Sequence, residues 1–255
     1  MPHPDQKIAI VTGGSRGLGR STVLALAERG VDAIFTYHSN QSQADLVVAA
    51  VAKLGRKAKA LQLDTGNLSA HAGFRDSVVR LLSDEWGRDR YDYLVNNAGF
   101  GLNALVADMT EEQFDSLMNV HFKGVFFLTQ KVVPLIHDGG RIVNISSALA
   151  RSAFPGYGAY AAMKGAIEVL TRYLAKELGH RGIAVNVVAP GAIATDFGGG
   201  AIRDNPELNK FISSITAMGR AGVPEDIGPM IATLLADENR WLTGQRIEVS
   251  GGMFL

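Results

Sequence analysis

A chain of 255 residues, 47% hydrophobic and 20% charged, is long enough to bury roughly three quarters of its unfolded surface. Basic and acidic residues number 25 each, so no net field draws the chain to nucleic acid or to an anionic membrane. The absence of cysteine excludes disulfides, cysteine nucleophiles and thiolate metal sites, and it suits a reducing, cytoplasmic setting.

The opening stretch MPHPDQK has no basic start followed by an apolar run, so no leader is read there. No apolar stretch nears the ~18 residues of a membrane span. Strand-like runs are expected at 7–12, 32–37, 58–64, 93–99, 141–146, 183–190 and 246–251. Helical patterns fall between them, at 19–30, 43–55, 74–86, 111–133 and 156–180. Strands that are apolar on both faces and separated by helices indicate a parallel sheet covered on both sides. Right-handed crossovers then give a doubly wound α/β fold, here a seven-stranded sheet in three layers. No linker, charge block or repeat divides the chain, so residues 1–255 read as one domain. Only FGGGAIRDNP (197–206) looks loose.

The first strand runs into Thr12-Gly13-Gly14-Ser15-Arg16-Gly17-Leu18-Gly19 and then a helix. Glycines allow positive φ and close approach of a ligand, and a helix N-terminus offers free N–H groups to phosphate. Rossmann-type sites commonly end strand two in a carboxylate that holds a ribose 2′-hydroxyl. Here Thr36-Tyr37-His38-Ser39-Asn40 carries none. Arg16, with Ser15 and the His38–Asn40 stretch, is therefore a candidate receiver of a 2′-phosphate; the alternative is that Arg16 points at solvent. Further on, Tyr160 and Lys164 stand four apart, on one face of a helix. By themselves they read as decoration of a solvated surface.

Four motifs in register change that reading. TGGSRGLG (12–19), Asn96-Asn97-Ala98-Gly99, Tyr160-x-x-x-Lys164 and Pro190-Gly191-x-x-x-Thr195 resemble the TGxxxGxG, NNAG, YxxxK and PGxxxT motifs of the short-chain dehydrogenases/reductases. The resemblance runs from Lys7 to Gly252. It implies a Rossmann fold and a nicotinamide dinucleotide held by Thr12, Gly13, Ser15, Arg16, Gly17, Leu18 and Gly19 of the turn. Further contacts are implied for His38 and Ser39, for Asp64 (at the adenine edge, or alternatively only a helix cap) and Thr65, and for Asn97, Ala98 and Gly99. Pro190, Gly191, Ile193 and Thr195, with Tyr160 and Lys164, complete the implied set. Family members with "SRG" in this turn usually prefer NADP(H), which is the expectation here.

Ser147, thirteen before Tyr160 and just past an apolar strand, completes a Ser-Tyr-Lys set, and Asn119 matches the asparagine that supports a water-mediated proton relay to the lysine. Tyr157 is a competing phenol, but it lies seven before Lys164. The resemblance implies that Tyr160 gives a proton to a substrate carbonyl, or takes one in reverse. Ser147 orients that oxygen, and Lys164 holds the ribose. A neighbouring ammonium favours a phenolate, so Lys164 is expected to lower the Tyr160 pKa towards a useful pH. His121 reads as structural. No metal-ligand spacing exists among the histidines, and Ser147 lacks the G-x-S-x-G elbow of a hydrolase.

The expected substrate wall comprises Leu149, Phe154, Tyr157, Ala192 and Phe197, within a 192–211 loop whose Gly198 to Gly200 allow a lid. These residues suit a ketone or aldehyde with a hydrophobic group. An NADPH-dependent ketone reductase is the first reading and 3-oxoacyl-carrier-protein reductase the second. Where that branch often carries a basic residue before strand five, this chain has Asp138-Gly139-Gly140, with Arg172 and Arg181 further on. A dinucleotide-binding sensor is a third reading, against which stands the presence of Ser, Tyr and Lys together. The resemblance also implies a homotetramer, in which the apolar helices 110–136 and 156–180 form a dimer face.

Overall fold

Each of the seven apolar runs becomes a strand in a computed structural model that describes residues 6–255. Most of the stretch read for a leader, residues 1–5, lies outside the described residues. The strands are β1 Ile8–Val11, β2 Asp32–Tyr37, β3 Ala58–Gln62, β4 Tyr91–Asn96, β5 Ile136–Ile145, β6 Ala184–Pro190 and β7 Arg246–Val249. All pair in parallel, in the order β3-β2-β1-β4-β5-β6-β7. The helices are α1 Gly17–Glu28, α2 Gln41–Lys53, α3 Ala70–Trp86, α4 Glu111–Met118, α5 Gly124–Val132, α6 Gly158–Leu178, α7 Ala201–Asp204, α8 Pro206–Ser214 and α9 Pro224–Leu234.

Alternation within β1 shows why the strands look apolar throughout. Ala9 and Val11 join a cluster with Val23 and Leu26 of α1, Val47 of α2 and Ile231 of α9. Ile8 and Ile10 join the opposite cluster, with Phe74 and Leu82 of α3, Leu128 of α5 and Ala175 of α6. Side chains on both faces of a strand are thus buried, each worth about 1.5–3 kcal/mol for a Val, Leu or Ile. A polar line crosses this apolar interior. Asn96 donates to Asn144 Oδ1 (2.8 Å) and Thr129 Oγ1 (3.0 Å), and Asn144 donates to Thr171 Oγ1 (2.9 Å), tying β4, β5, α5 and α6 in one register. Among the described residues no helix is long and apolar enough to cross a membrane.

Three elements differ from the sequence expectation, besides shifts of a few residues at other ends and helix α9, which no expected pattern covered. The single helix expected over 111–133 is two helices joined by a π-helical turn at Asn119–Lys123. Gly124, which follows it, lies so close to the backbone of Thr65 that a Cβ would collide with the Thr65 carbonyl oxygen. The wider turn accommodates that approach, as π-turns inside α-helices do. Strand β5 starts at Ile136 rather than 141, because Ile136 pairs with Tyr91 before the pairing resumes at Tyr93 and Arg141. The segment expected to be loose is partly helical: left-handed Gly198, Gly199 and Gly200 lead directly into α7 and α8.

Candidate active site

Sheet order reverses between β1 and its neighbours β2 and β4, and a crevice forms at the carboxyl ends of the strands at such a point. A cavity of about 930 Å³ lies there. Its floor is the turn between β1 and α1. Gly13 has φ +67° and Gly17 φ +53°, and a Cβ on Gly19 would run into the Gly13 carbonyl oxygen. Helix α1 begins with no side-chain cap and no acid in its first turn, so its N–H groups and partial positive charge are left for an anion. These features fit the diphosphate of a dinucleotide.

The turn is braced from β4. Buried Thr12 accepts at Oγ1 from the N–H groups of Asn97 and Ala98 (2.9 Å each), and Asn97 Nδ2 donates back to the Thr12 carbonyl (2.8 Å). Gly99 is needed for a different reason: a Cβ there would lie 2.7 Å from the His121 ring.

Ser147 follows β5, and Tyr160 and Lys164 lie in the first two turns of α6; all three are buried and line the same cavity. Ser147 Oγ accepts from the Leu149 N–H (3.2 Å), which leaves its own proton free to be donated. Lys164 Nζ donates to the Ile145 carbonyl (2.8 Å) and sits 5.6 Å from the centre of the Tyr160 ring. The expected lowering of the Tyr160 pKa is not what this geometry produces. Burial pushes Tyr160 up, the Ser147 hydroxyl works against that shift, and Tyr157 adds to it. Burial pushes Lys164 down to about 7. Both groups are desolvated and the lysine's bond goes to a backbone carbonyl, so burial leads both shifts.

An aromatic wall continues from the phenol. The Tyr160 ring centre lies 5.1 Å from His121, 5.7 Å from Phe197 and 6.3 Å from Tyr157, and Phe154 lies 6.1 Å from both Tyr157 and Phe211. Burial lowers the His121 pKa to about 3. Its Nε2 is 2.8 Å from the Phe100 carbonyl oxygen, and its Nδ1 has no partner among the described residues. Leu149, Ala192, Ile202, Leu208 and Ile212 extend the apolar surface. The 192–211 segment is tied by charge: Asp196 pairs with Arg16 of the glycine turn (3.7 Å) and with Arg203, which also pairs with Asp204 (2.7 Å).

The structure brings nearly all the expected residues to this cavity. Gly13, Ser15 to Gly19, His38, Asp64, Thr65, Asn97 to Gly99, Pro190, Gly191, Ile193 and Thr195 line it. Three do not. Thr12 is the internal brace just described. Ser39 is exposed beside Asn40, whose side chain caps α2 by accepting from Gln43 N–H. Asn119 lies in the π-turn, is absent from the wall and makes no direct hydrogen bond to Tyr160 or Lys164. Asp64 lines the cavity, and its side chain accepts from the Gly66 N–H (2.9 Å) within a turn; it caps no helix, because α3 starts at Ala70 after Ser69. Residues not anticipated include Phe100 and Asn103, just past the NNAG motif, and Met253 and Phe254 at the far end of the chain. Phe100 could have been suspected from its place after the motif. The C-terminal pair carries no local signal; it arrives through the Thr216–Met253 bridge. No group of three or more His, Asp or Glu among the described residues could hold a metal.

A family model described as enoyl-(acyl carrier protein) reductase matches residues 13–254. The 3-oxoacyl-[acyl-carrier-protein] reductase FabG of Staphylococcus aureus is 36% identical over 252 residues, 98% of each chain. Among solved structures, the promiscuous reductase LugOII, which catalyses keto-reduction at C1 during lugdunomycin biosynthesis, superposes with a TM-score of 0.93 at 39% identity over 98% of both chains. The landomycin C-6 ketoreductase LanV, with bound NADP and rabelomycin, gives 0.88 at 33% identity, covering 97% of this chain and 96% of its own.

Proposed function

This chain belongs to the short-chain dehydrogenase/reductase family of oxidoreductases, and on that premise we propose that it reduces the carbonyl of a ketone or aldehyde with NADPH. Reversal would oxidise the alcohol. The observation that carries the reading is the convergence of Ser147, Tyr160 and Lys164 on one cavity with the glycine cradle. When bound, the reduced nicotinamide supplies the hydride. The side chains manage the oxygen. Tyr160, held protonated by burial, gives its proton to the carbonyl oxygen. Ser147 donates the hydroxyl proton that Leu149 leaves free, stabilising developing negative charge on the same oxygen. Lys164, with a pKa near neutrality, is suited to exchange a proton and return Tyr160 to its acid form.

NADP(H) is the cofactor this reading assigns. LanV is bound to NADP, strand β2 ends without a carboxylate, and Arg16 and His38 line the cavity. Arg16→Ala is expected to weaken NADPH binding about tenfold or more, for loss of a charge-assisted phosphate contact, while NADH binding changes little; fluorescence titration of both measures it. Equal weakening of the two would defeat the assignment. The aromatic wall favours a hydrophobic ketone. For the mechanism, Tyr160→Phe is expected to lower kcat about 10²- to 10⁴-fold, the range of a lost general acid, with NADPH affinity nearly unchanged. Reduction that survives this change would overturn the mechanism, and a protein that binds NADPH but reduces nothing in a carbonyl panel would be a sensor.

Reduction of a carrier-bound 3-oxoacyl group is the second reading, favoured by the FabG relative. Of the two cations available to it, Arg181 is poorly placed. Arg181 is engaged with Asp138 (2.8 Å) and the Ile136 carbonyl (2.6 Å) at the start of β5, the end of the strand away from Ser147. Turnover of an aryl ketone against a 3-oxoacyl thioester separates the two readings. The whole chain is taken as one dinucleotide-binding domain in either case.

A further inference from the structure

One charged cluster beside the site has no part in the mechanism above. Arg246, on β7, is almost fully buried, its side chain 7% exposed. Its Nε donates to Glu168 Oε1 (2.6 Å), its Nη1 to Glu248 Oε2 (2.7 Å) and its Nη2 to the backbone carbonyl of Ser147 (3.4 Å). Glu168 is 13% exposed and follows Lys164 by one turn of α6. The same Oε1 is 2.8 Å from the hydroxyl of Ser146, which also lies 3.2 Å from the Lys164 carbonyl oxygen. Lys164 Nζ completes the set at the Ile145 carbonyl. Residues 145, 146 and 147 are therefore each tied to α6 or to Arg246, and the guanidinium joins the serine to the helix that carries Tyr160 and Lys164.

Two observations separate this from an ordinary ion pair. Burying charges costs desolvation energy that a pair of good geometry only roughly recovers, so net stabilisation is a weak reason for the cluster. And a planar guanidinium directs its donors at fixed angles, so one side chain sets the spacing of two carboxylates and a peptide carbonyl. We propose that Arg246, held by Glu168, is a positioning residue that fixes Ser147 against Tyr160. It does not line the cavity and acts through the backbone of Ser147. The inference rests on the reading of Ser147 given above.

The test is a double-mutant cycle on the full-length protein. Arg246→Met is expected to lower kcat about tenfold to a hundredfold, the range of a small misplacement of a reacting group, with NADPH affinity by fluorescence titration within about twofold. Arg246→Lys, which keeps the charge and loses the fork, should recover part of that loss. In a Ser147→Ala background the residual kcat should change less than about threefold on adding Arg246→Met, because the residue it acts through is already gone. The inference is overturned if Arg246→Met lowers the melting temperature but leaves kcat below that temperature unchanged. It is equally overturned if the loss persists undiminished in the Ser147→Ala background, or if NADPH affinity falls in step with kcat. Should Arg246→Met not fold, Glu168→Gln takes its place in the same cycle with the same outcomes. A Ser147→Ala variant of full activity would instead refute the role of Ser147 itself. That result is distinct from one in which Ser147→Ala is impaired and Arg246→Met is not.

Discussion

Lys164 is buried at a cost to the fold, in a state that the proposed chemistry would use. Its pKa falls from an ordinary 10.5 to about 7 because burial disfavours the ammonium. Between those values the unfolded chain binds the proton more tightly than the folded one, so stability attributable to this group rises with pH across that window and its penalty is complete below it. Lys164→Met is accordingly expected to be inactive yet more stable than the parent at pH 7, with the gap closing as pH climbs towards 10. Paired urea midpoints from pH 6 to 9.5 measure this, and taking the difference cancels the buried tyrosines common to both proteins. A gap independent of pH would mean that the lysine stays charged. Tyr160 moves the opposite way, upward, which in the proposed reduction would hold the proton it gives.

At the level of single elements, the turn into α1 and the joint between α4 and α5 are set by backbone approach rather than by side-chain preference. Gly19→Ala would press a methyl group against the Gly13 carbonyl. We expect a loss of about 1–3 kcal/mol, as for overpacking in other tight interiors, together with loss of NADPH binding; urea unfolding and fluorescence titration read the two effects separately. The π-turn at Asn119–Lys123 places Val120 and His121 on the cavity wall and Asn119 off it. A helix of regular pitch through 111–133 would rotate these positions relative to the site.

For the whole molecule, the sheet accounts for one face of each covering helix, and the other faces are unevenly polar. Phe126 and Phe127 on α5 and Val169 and Tyr173 on α6 are exposed, as is Trp241 ahead of β7. Large side chains left open on neighbouring helices mark association surfaces more often than solvent-facing ones. We expect a homotetramer of four 27.2-kDa chains, about 109 kDa with closed symmetry. Light scattering after gel filtration is the measurement, and Phe127→Asp should yield a smaller species. A parent protein that elutes as a monomer would contradict this expectation.

What could be read before any coordinates was periodic or local. Seven apolar runs spaced by amphipathic ones fix a parallel α/β sheet, since burial on both faces leaves its mark in every strand. The glycine turn and the Tyr160–Lys164 spacing were legible because each is set by the backbone within a few residues. Burial was not legible, and it reversed the expected shift of Tyr160: charge is written in the sequence, whereas desolvation depends on everything packed around it. Nor could any local pattern announce Phe254 at the cavity or Arg246 behind Ser147. Those contacts join segments far apart along the chain, and the sheet order that brings β7 beside β6 and α6 is what creates them.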